Sequence, residues 1–271
     1  MVFSVHTNGA AMAAMWSFNA TQTQLARVQK EISTGYKVAD ATDNGAVFAI
    51  AQGVRADLAG IAASNQQLSG ALGMVSVAEA AATGISNTMA QIRSTITELA
   101  DGTYTGSSRT SLLSHLNQLT ATVSNFIANA TYGGTNLLSS GATNVGVITN
   151  SGGAQYNIQA QDLVNLVLGN LTAITSTTDA QGLLTGGFST AMDAVGTALA
   201  SLGGDENRIN SQISFNSQIS DAMSTGLGAM VDADMAKAAA QLQALQVREQ
   251  LAVQAMSIAN QSMQLILSLF R

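Results

Sequence analysis

A chain of 271 residues with no cysteine, no proline, 4% aromatic and 10% charged residues has no means of building a disulfide framework or a thiolate metal centre, and little with which to pack one thick globular core. Its net charge of -6 and pI near 4.7 speak against nucleic acid, which rewards basic patches. Without proline nothing kinks a long helix, and 46% hydrophobic residues, much of that alanine, favour thin packing and an elongated helical protein.

From Met1 to Ala26 there is no Asp, Glu, Lys or Arg. Ala14, Phe18, Thr21, Leu25, Val28 and Ile32 recur at steps of four and three, the signature of a helix with one apolar stripe. A cleavable export signal needs a basic start and an unbroken apolar middle, and Asn8, Gly9, Ser17 and Asn19 interrupt this one, so none is expected. Ser33-Thr34-Gly35 is a helix stop, and Tyr36 to Gly45, with Asp40, Asp43 and Asn44, reads as a loop.

A long helical pattern then runs from Ala46 to Ala100 through Val54, Leu58, Ile61, Leu68, Leu72, Val75, Ala82, Ile85, Met89, Ile92, Ile96 and Leu99. At about 1.5 Å per residue it is roughly 80 Å long, and it needs a companion helix along most of that length. Asp101 to Ser108 turns the chain into a second helix carrying Leu112, Leu116, Leu119, Val123, Phe126 and Ala130, which ends at Gly133-Gly134. Between Leu138 and Gly187 the character changes to Gly, Ser, Thr and Asn. Asn144–Thr149 and Gln155–Ile158 read there as the strands of a small hairpin in an exposed, variable segment, 139–187. Helical rhythm returns at Phe188 and continues through Met192, Val195, Leu199, Leu202, Ile209, Ile213, Met223, Leu227 and Met230.

The last forty residues begin at Asp232, and from Leu251 to Phe270 they carry no charge. One stripe is Met256, Ala259, Met263, Ile266 and Phe270; a second is Leu251, Ile258, Leu265 and Leu269. Two stripes on an uncharged helix require neighbours on more than one side. Gln254, Asn260, Gln261, Ser262 and Gln264 make the segment unsuited to hydrocarbon, so no membrane partner is expected. Burying its large apolar side chains gains about as much as ordering its backbone costs. The expectation is a helix that orders where partners close around it.

Candidate chemistry is sparse. His6 and His115 stand alone, and Asp232 and Asp234 suit a helix start better than a metal. No Gly-x-Ser-x-Gly elbow, Walker loop, Gly-x-Gly-x-x-Gly after a strand or His-Glu-x-x-His is present. No catalytic, cofactor-binding or metal residue is therefore expected. Arg55 and Arg93, in long helices with few charges, either pair with acids of an adjacent subunit or are solvated surface arginines, and the sequence weights the two equally.

Thr7-Asn8, Ile32-Ser33-Thr34-Gly35, Ala39 to Ala51 around Asp43-Asn44-Gly45, Arg55-Ala56 and Gly133-Gly134-Thr135-Asn136-Leu137-Leu138 resemble the N-terminal region of bacterial flagellin. Ser201-Leu202-Gly203, Asn207-Arg208-Ile209, Val231-Asp232-Ala233-Asp234-Met235, Ala259-Asn260-Gln261 and Leu269-Phe270-Arg271 resemble its C-terminal region. Ser262 and Met263 stand where many family members carry a proline. The resemblance implies a short flagellin lacking large outer domains, mainly α, an elongated coiled-coil-like helical bundle with its N- and C-terminal helices paired. It places residues 1–41 with 232–271 in an inner domain and 42–231 in a rod.

It further implies a homopolymer of the bacterial flagellum, exported without a cleavable signal peptide. The implied partners are other flagellin subunits, the flagellar export apparatus, an export chaperone, and the cap and hook-junction proteins. The subunit-interface residues expected on this reading are Phe18, Leu25, Ile32, Arg55, Arg93, Leu251, Met256, Ile258, Met263, Ile266, Leu269 and Phe270. Within Gln91 to Leu99 only Arg93 matches the stretch that the animal innate-immune receptor recognises in the family, which implies weak recognition. A hook-filament junction protein and a secreted helical-bundle adhesin are the competing readings.

Overall fold

The computed structural model describes residues 7–171 and 174–269, with side chains described through residue 261. The described chain is mainly helical: α1 (Gly9–Thr34), α2 (Ala41–Ala100), α3 (Gly106–Asn129), α4 (Thr177–Gly182), α5 (Phe188–Val231) and α6 (Met235–Leu269). Two antiparallel hairpins, β1 (Thr131–Tyr132) with β2 (Thr135–Asn136) and β3 (Val145–Ile148) with β4 (Gln155–Ile158), lie between α3 and α4. The chain divides into two compact units, one of residues 1–56 with 222–271 and one of residues 57–221.

In the terminal unit α1 pairs with α6. Ala11, Ala14, Phe18, Thr21, Leu25, Val28 and Ile32 on α1, and Ala238, Leu242, Leu245, Glu249, Ala252, Met256 and Ala259 on α6, are drawn out of solvent, with Gln22, Lys30 and Glu31 beside them. Both sets step by threes and fours, the seam of a left-handed coiled coil. Asn8 caps α1 by accepting from the Ala11 N–H at 3.0 Å, and its Nδ2 donates to the Ala259 carbonyl at 3.0 Å. Gly35, at φ +74, ends α1 with its N–H on the Glu31 carbonyl. The chain then runs beside the start of α6: the Lys37 N–H donates to Val231 at 2.7 Å and the Ala233 N–H to Gly35 at 2.9 Å. Asp234 caps α6 through the Lys237 N–H, whereas Asp232 pairs by backbone with Tyr36. Val38, Ala51 and Val231, with Val47, Phe48, Leu227 and Met230, form a small core.

The expected loop up to Gly45 is shorter than its sequence implies. Asp40 Oδ1 accepts from the Thr42 N–H and hydroxyl, which winds Ala41–Asp43 into a helical turn. Asn44 (φ −162, ψ 101) interrupts α2, and its side chain accepts from the Val47 N–H, restarting the helix as an N-cap does. At the far end, α6 is helical across Ser262 and Met263.

The central unit has a coiled-coil core. Leu68, Ala71, Val75, Ala78, Ala82, Ile85, Met89, Ile92, Ile96 and Leu99 of α2 are all buried, at unbroken steps of three and four. Leu116, Leu119, Val123 and Ile127 of α3, and Ala191, Val195, Ala198, Leu202 and Ile209 of α5, complete the same cluster. By length and composition α2 is apolar enough to cross a bilayer, but this stripe faces a protein core.

The segment 139–187, expected to be exposed, is only partly so. Val147, Ile158, Leu163, Val167, Ile174, Ala180 and Leu183 are buried in the central core. They are scattered among Gly, Ser, Thr and Asn in short elements, so no period marks them. The β3–β4 hairpin, with Val145 opposite Ile158 and Ile148 opposite Gln155, is tied down at Thr149, whose carbonyl accepts from Asn216 Nδ2 at 2.9 Å and Gln212 Nε2 at 3.3 Å. Asn216 is itself buried and donates to Asn65 Oδ1 at 2.9 Å. At Gly60 of α2 a Cβ would stand 2.8 Å from the Ser151 Cβ, so the hairpin can lie there only over glycine.

Candidate assembly surface

The coiled-coil pair of the terminal unit leaves large apolar side chains outside its seam. On α1 these are Met12, Met15 and Trp16, the last 76% exposed. On α6 they are Met235, at the helix start, and Val247, Leu251, Val253 and Ile258, with Leu251 at 62% and Ile258 at 60% exposure. Between the helices a groove of about 420 Å³ is lined by Ala20 and Thr21 of α1 and by Arg248, Leu251, Ala252 and Ala255 of α6. Such a concentration of apolar surface on one two-helix pair marks an interaction face.

The residues named from sequence separate into groups. Phe18, Leu25 and Ile32 sit half-buried, Leu25 and Ile32 against the Val28, Ala238 and Leu245 cluster, so they close the chain's own α1–α6 pair. Met256 takes a half-buried seam position on α6. Leu251 and Ile258 remain outward. Arg55 is half-buried, its guanidinium 5.9 Å from the centroid of the Tyr36 ring; Arg93 is exposed and 6.0 Å from that of Phe188. Both arginines thus have an aromatic neighbour within their own unit. Phe270 lies outside the described residues, as do the side chains of Met263, Ile266 and Leu269.

Sequence reasoning passed over Met12, Met15 and Trp16 because they fall off the stripe through Ala14 and Phe18. The available signal was the lone tryptophan, in a charge-free segment at a helix position the stripe did not need.

An ionic clasp holds the turn between α1 and α2. Lys30 Nζ donates to Asp40 at 2.7 Å and to Asp43 at 2.9 Å, and Asp43 also accepts from the Ala39 and Asp40 N–H groups. The lysine, followed by Thr42, holds the Asp40 carboxyl well below its ordinary value; Lys30 likewise lowers Asp43, and both acids raise Lys30. A carboxyl depressed on folding contributes stability that is present above its unfolded value and lost as pH falls through the folded one. No cluster of three or more metal-ligating side chains occurs among the described residues, and His115 is exposed on α3.

Paired terminal helices, a coiled-coil core and an outward apolar face define a mainly helical protein with an interaction surface. Residues 5–143 match the bacterial flagellin N-terminal helical region, and residues 185–270 its C-terminal helical region. Flagellin FljK of Caulobacter vibrioides is 34% identical over 99% of this chain and 98% of its own length. The flagellin of Brucella melitensis is 33% identical over 99% of both. Among solved structures, the flagellin of Bacillus cereus aligns with a TM-score of 0.52 at 21% identity, over 55% of this chain and 88% of its own. A putative flagellar hook-associated protein from Vibrio parahaemolyticus aligns at 0.58 and 16%, over 70% and 99%. These two likenesses are of fold.

The chain belongs to the bacterial flagellin family, in a small form without large outer domains. It is a structural subunit of the flagellar filament, the extracellular appendage that serves swimming motility, and it polymerises with copies of itself.

Proposed function

We propose that the outward rows of the terminal unit, Met12, Met15 and Trp16 on α1 with Val247, Leu251, Val253 and Ile258 on α6, are buried by neighbouring subunits as the filament grows. The observation that carries this reading is their exposure on a pair whose own buried seam is narrow and rich in small side chains, Thr21, Val28, Ala238, Leu245, Ala252 and Ala259. Met263, Ile266, Leu269 and Phe270 are assigned to subunit contacts on the same reading, from the sequence alone. Phe18, Leu25, Ile32 and Met256 act one step back, by holding the pair together. Arg55 and Arg93 keep their aromatic neighbours and offer their remaining donors to acids of an adjacent copy.

On this reading folding of the ends is coupled to assembly, and the chain has no catalytic role. A subunit with weakly self-sufficient ends suits passage through the flagellar export apparatus with an export chaperone and without a cleavable signal peptide, and placement at the tip beneath the cap, above the hook-junction proteins. The residues 1–41 with 232–271 constitute the inner part of the filament, and residues 42–231 the rod.

The test is seeded polymerisation followed by light scattering and electron microscopy. Wild-type monomer elongates sheared filaments without limit, while the double variant Leu251→Glu, Ile258→Glu keeps the monomer's helical circular dichroism and fails to elongate. Elongation of that variant at the wild-type rate overturns the assignment of the face, and wild-type growth that stops at small rings favours a junction role.

A further inference from the structure

All the sulfur of this chain is in thioethers, because it has 11 methionines and no cysteine. Among the described residues these side chains divide by exposure. In residues 57–221 Met89 is fully buried, and Met74 and Met192 are half-buried against the same core. In the terminal unit Met223 is half-buried, Met230 packs on the Val38, Ala51 and Val231 cluster, and Met256 sits half-buried on the seam side of α6. Three are left open to solvent: Met12 at 57%, Met15 at 51% and Met235 at 46% exposure. Met235 stands alone at the start of α6. Met12 and Met15 are one turn apart on α1, beside Trp16, and make one patch of the outward face.

An exposed thioether is open to attack on a hydroperoxide. The sulfur lone pair bonds to one peroxide oxygen, the O–O bond breaks, and the other oxygen leaves with the protons as water; sulfur is oxidised by two electrons and the peroxide reduced by two. The product is a sulfoxide, a polar acceptor in place of a flexible apolar side chain. In water that acceptor is solvated at little cost. Buried on an apolar face it has no donor, and an unpaired polar group there is costly.

We propose that Met12 and Met15 form an oxidation site that controls entry into the filament. Hydrogen peroxide converts them to sulfoxides in the free subunit, which then cannot bury this part of α1, whereas in subunits already assembled the same sulfurs are shielded. The inference rests on the reading that neighbouring subunits cover Met12, Met15 and Trp16.

The experiment treats full-length monomer, and filaments grown from it, with hydrogen peroxide in parallel. Peptide mass spectrometry locates the sulfoxides, circular dichroism follows the helices, and seeded elongation of treated monomer is read by light scattering. The expected results are oxidation of Met12 and Met15 in the monomer ahead of Met89, protection of both in filaments, and loss of elongation with helicity kept. The double variant Met12→Leu, Met15→Leu, which keeps apolar side chains of similar volume, elongates before and after treatment. Monomer that carries both sulfoxides and elongates at the untreated rate overturns the proposal, and protection in filaments would then leave the covered face standing. Equal oxidation in filaments and monomer overturns the covered face and the proposal together. Elongation lost in the treated double variant overturns the assignment to these two methionines. Should the double variant fail to assemble untreated, partly oxidised wild type decides: Met12 and Met15 sulfoxides enriched in the fraction left unassembled support the proposal, and equal content in both fractions overturns it.

Discussion

At the scale of single residues, glycine has opposite meanings at two positions of α2. An interior helix glycine ordinarily costs about 0.5–1 kcal/mol against alanine, and at Gly53 no atom approaches within 4 Å of an added Cβ. Gly60 differs, because there the Cβ would meet Ser151 Cβ at 2.8 Å and its Cα at 3.3 Å. Gly53→Ala is therefore expected to stabilise the monomer by about 0.5–1 kcal/mol, and Gly60→Ala to destabilise it by about 1–3 kcal/mol through overpacking. Urea unfolding of both variants checks the pair, and equal effects of the same sign contradict the close approach. In the sequence these two glycines look alike. What separates them is a hairpin nearly a hundred residues further on.

At the scale of elements, the long helices were legible and their attachments were not. The stripes through Leu68, Val75, Ile85 and Ile92, and through Phe18, Leu25 and Ile32, follow from the period of a helix with one covered face, and the seams fall on them. The period does not say whether a stripe is covered by its own chain or by another copy. Of the two stripes in α6, only the structure shows that Met256 and Ala259 enter the seam while Leu251 and Ile258 stay outward.

The middle segment was misread in part because it is anchored by single long-range contacts. Asn216 and Gln212 on the Thr149 carbonyl, and the Ser176–Asp179 capping box that starts α4, leave no periodic trace. Removing the Asn216 amide leaves the Thr149 carbonyl with the longer Gln212 bond and Asn65 Oδ1 without its donor. Asn216→Ala is expected to cost about 1–3 kcal/mol and to speed amide exchange in β3 and β4 ahead of the α2–α3 core. Hydrogen exchange measured by mass spectrometry reads this; unchanged hairpin protection contradicts the anchoring role.

At the scale of the whole molecule, charge and apolar surface are divided unequally between the two units. Residues 57–221 hold ten of the 16 acids and three of the 10 Lys and Arg, so this unit is strongly negative and the terminal unit is near neutral. Like charge opposes bringing copies together, and the gain on assembly must come from somewhere else. On the reading proposed above, the outward rows of α1 and α6 supply it, at about 25 cal/mol for each Å² of apolar surface removed from water.

Trp16 reports on that claim directly, because it is the chain's single tryptophan and the most exposed of these side chains. The measurement is its fluorescence, with iodide as quencher, in monomer and in filaments grown from the same preparation. Burial on assembly predicts emission that shifts to the blue and becomes inaccessible to iodide as the filaments lengthen. Filaments of full length whose tryptophan keeps the monomer's emission and quenching would contradict the account.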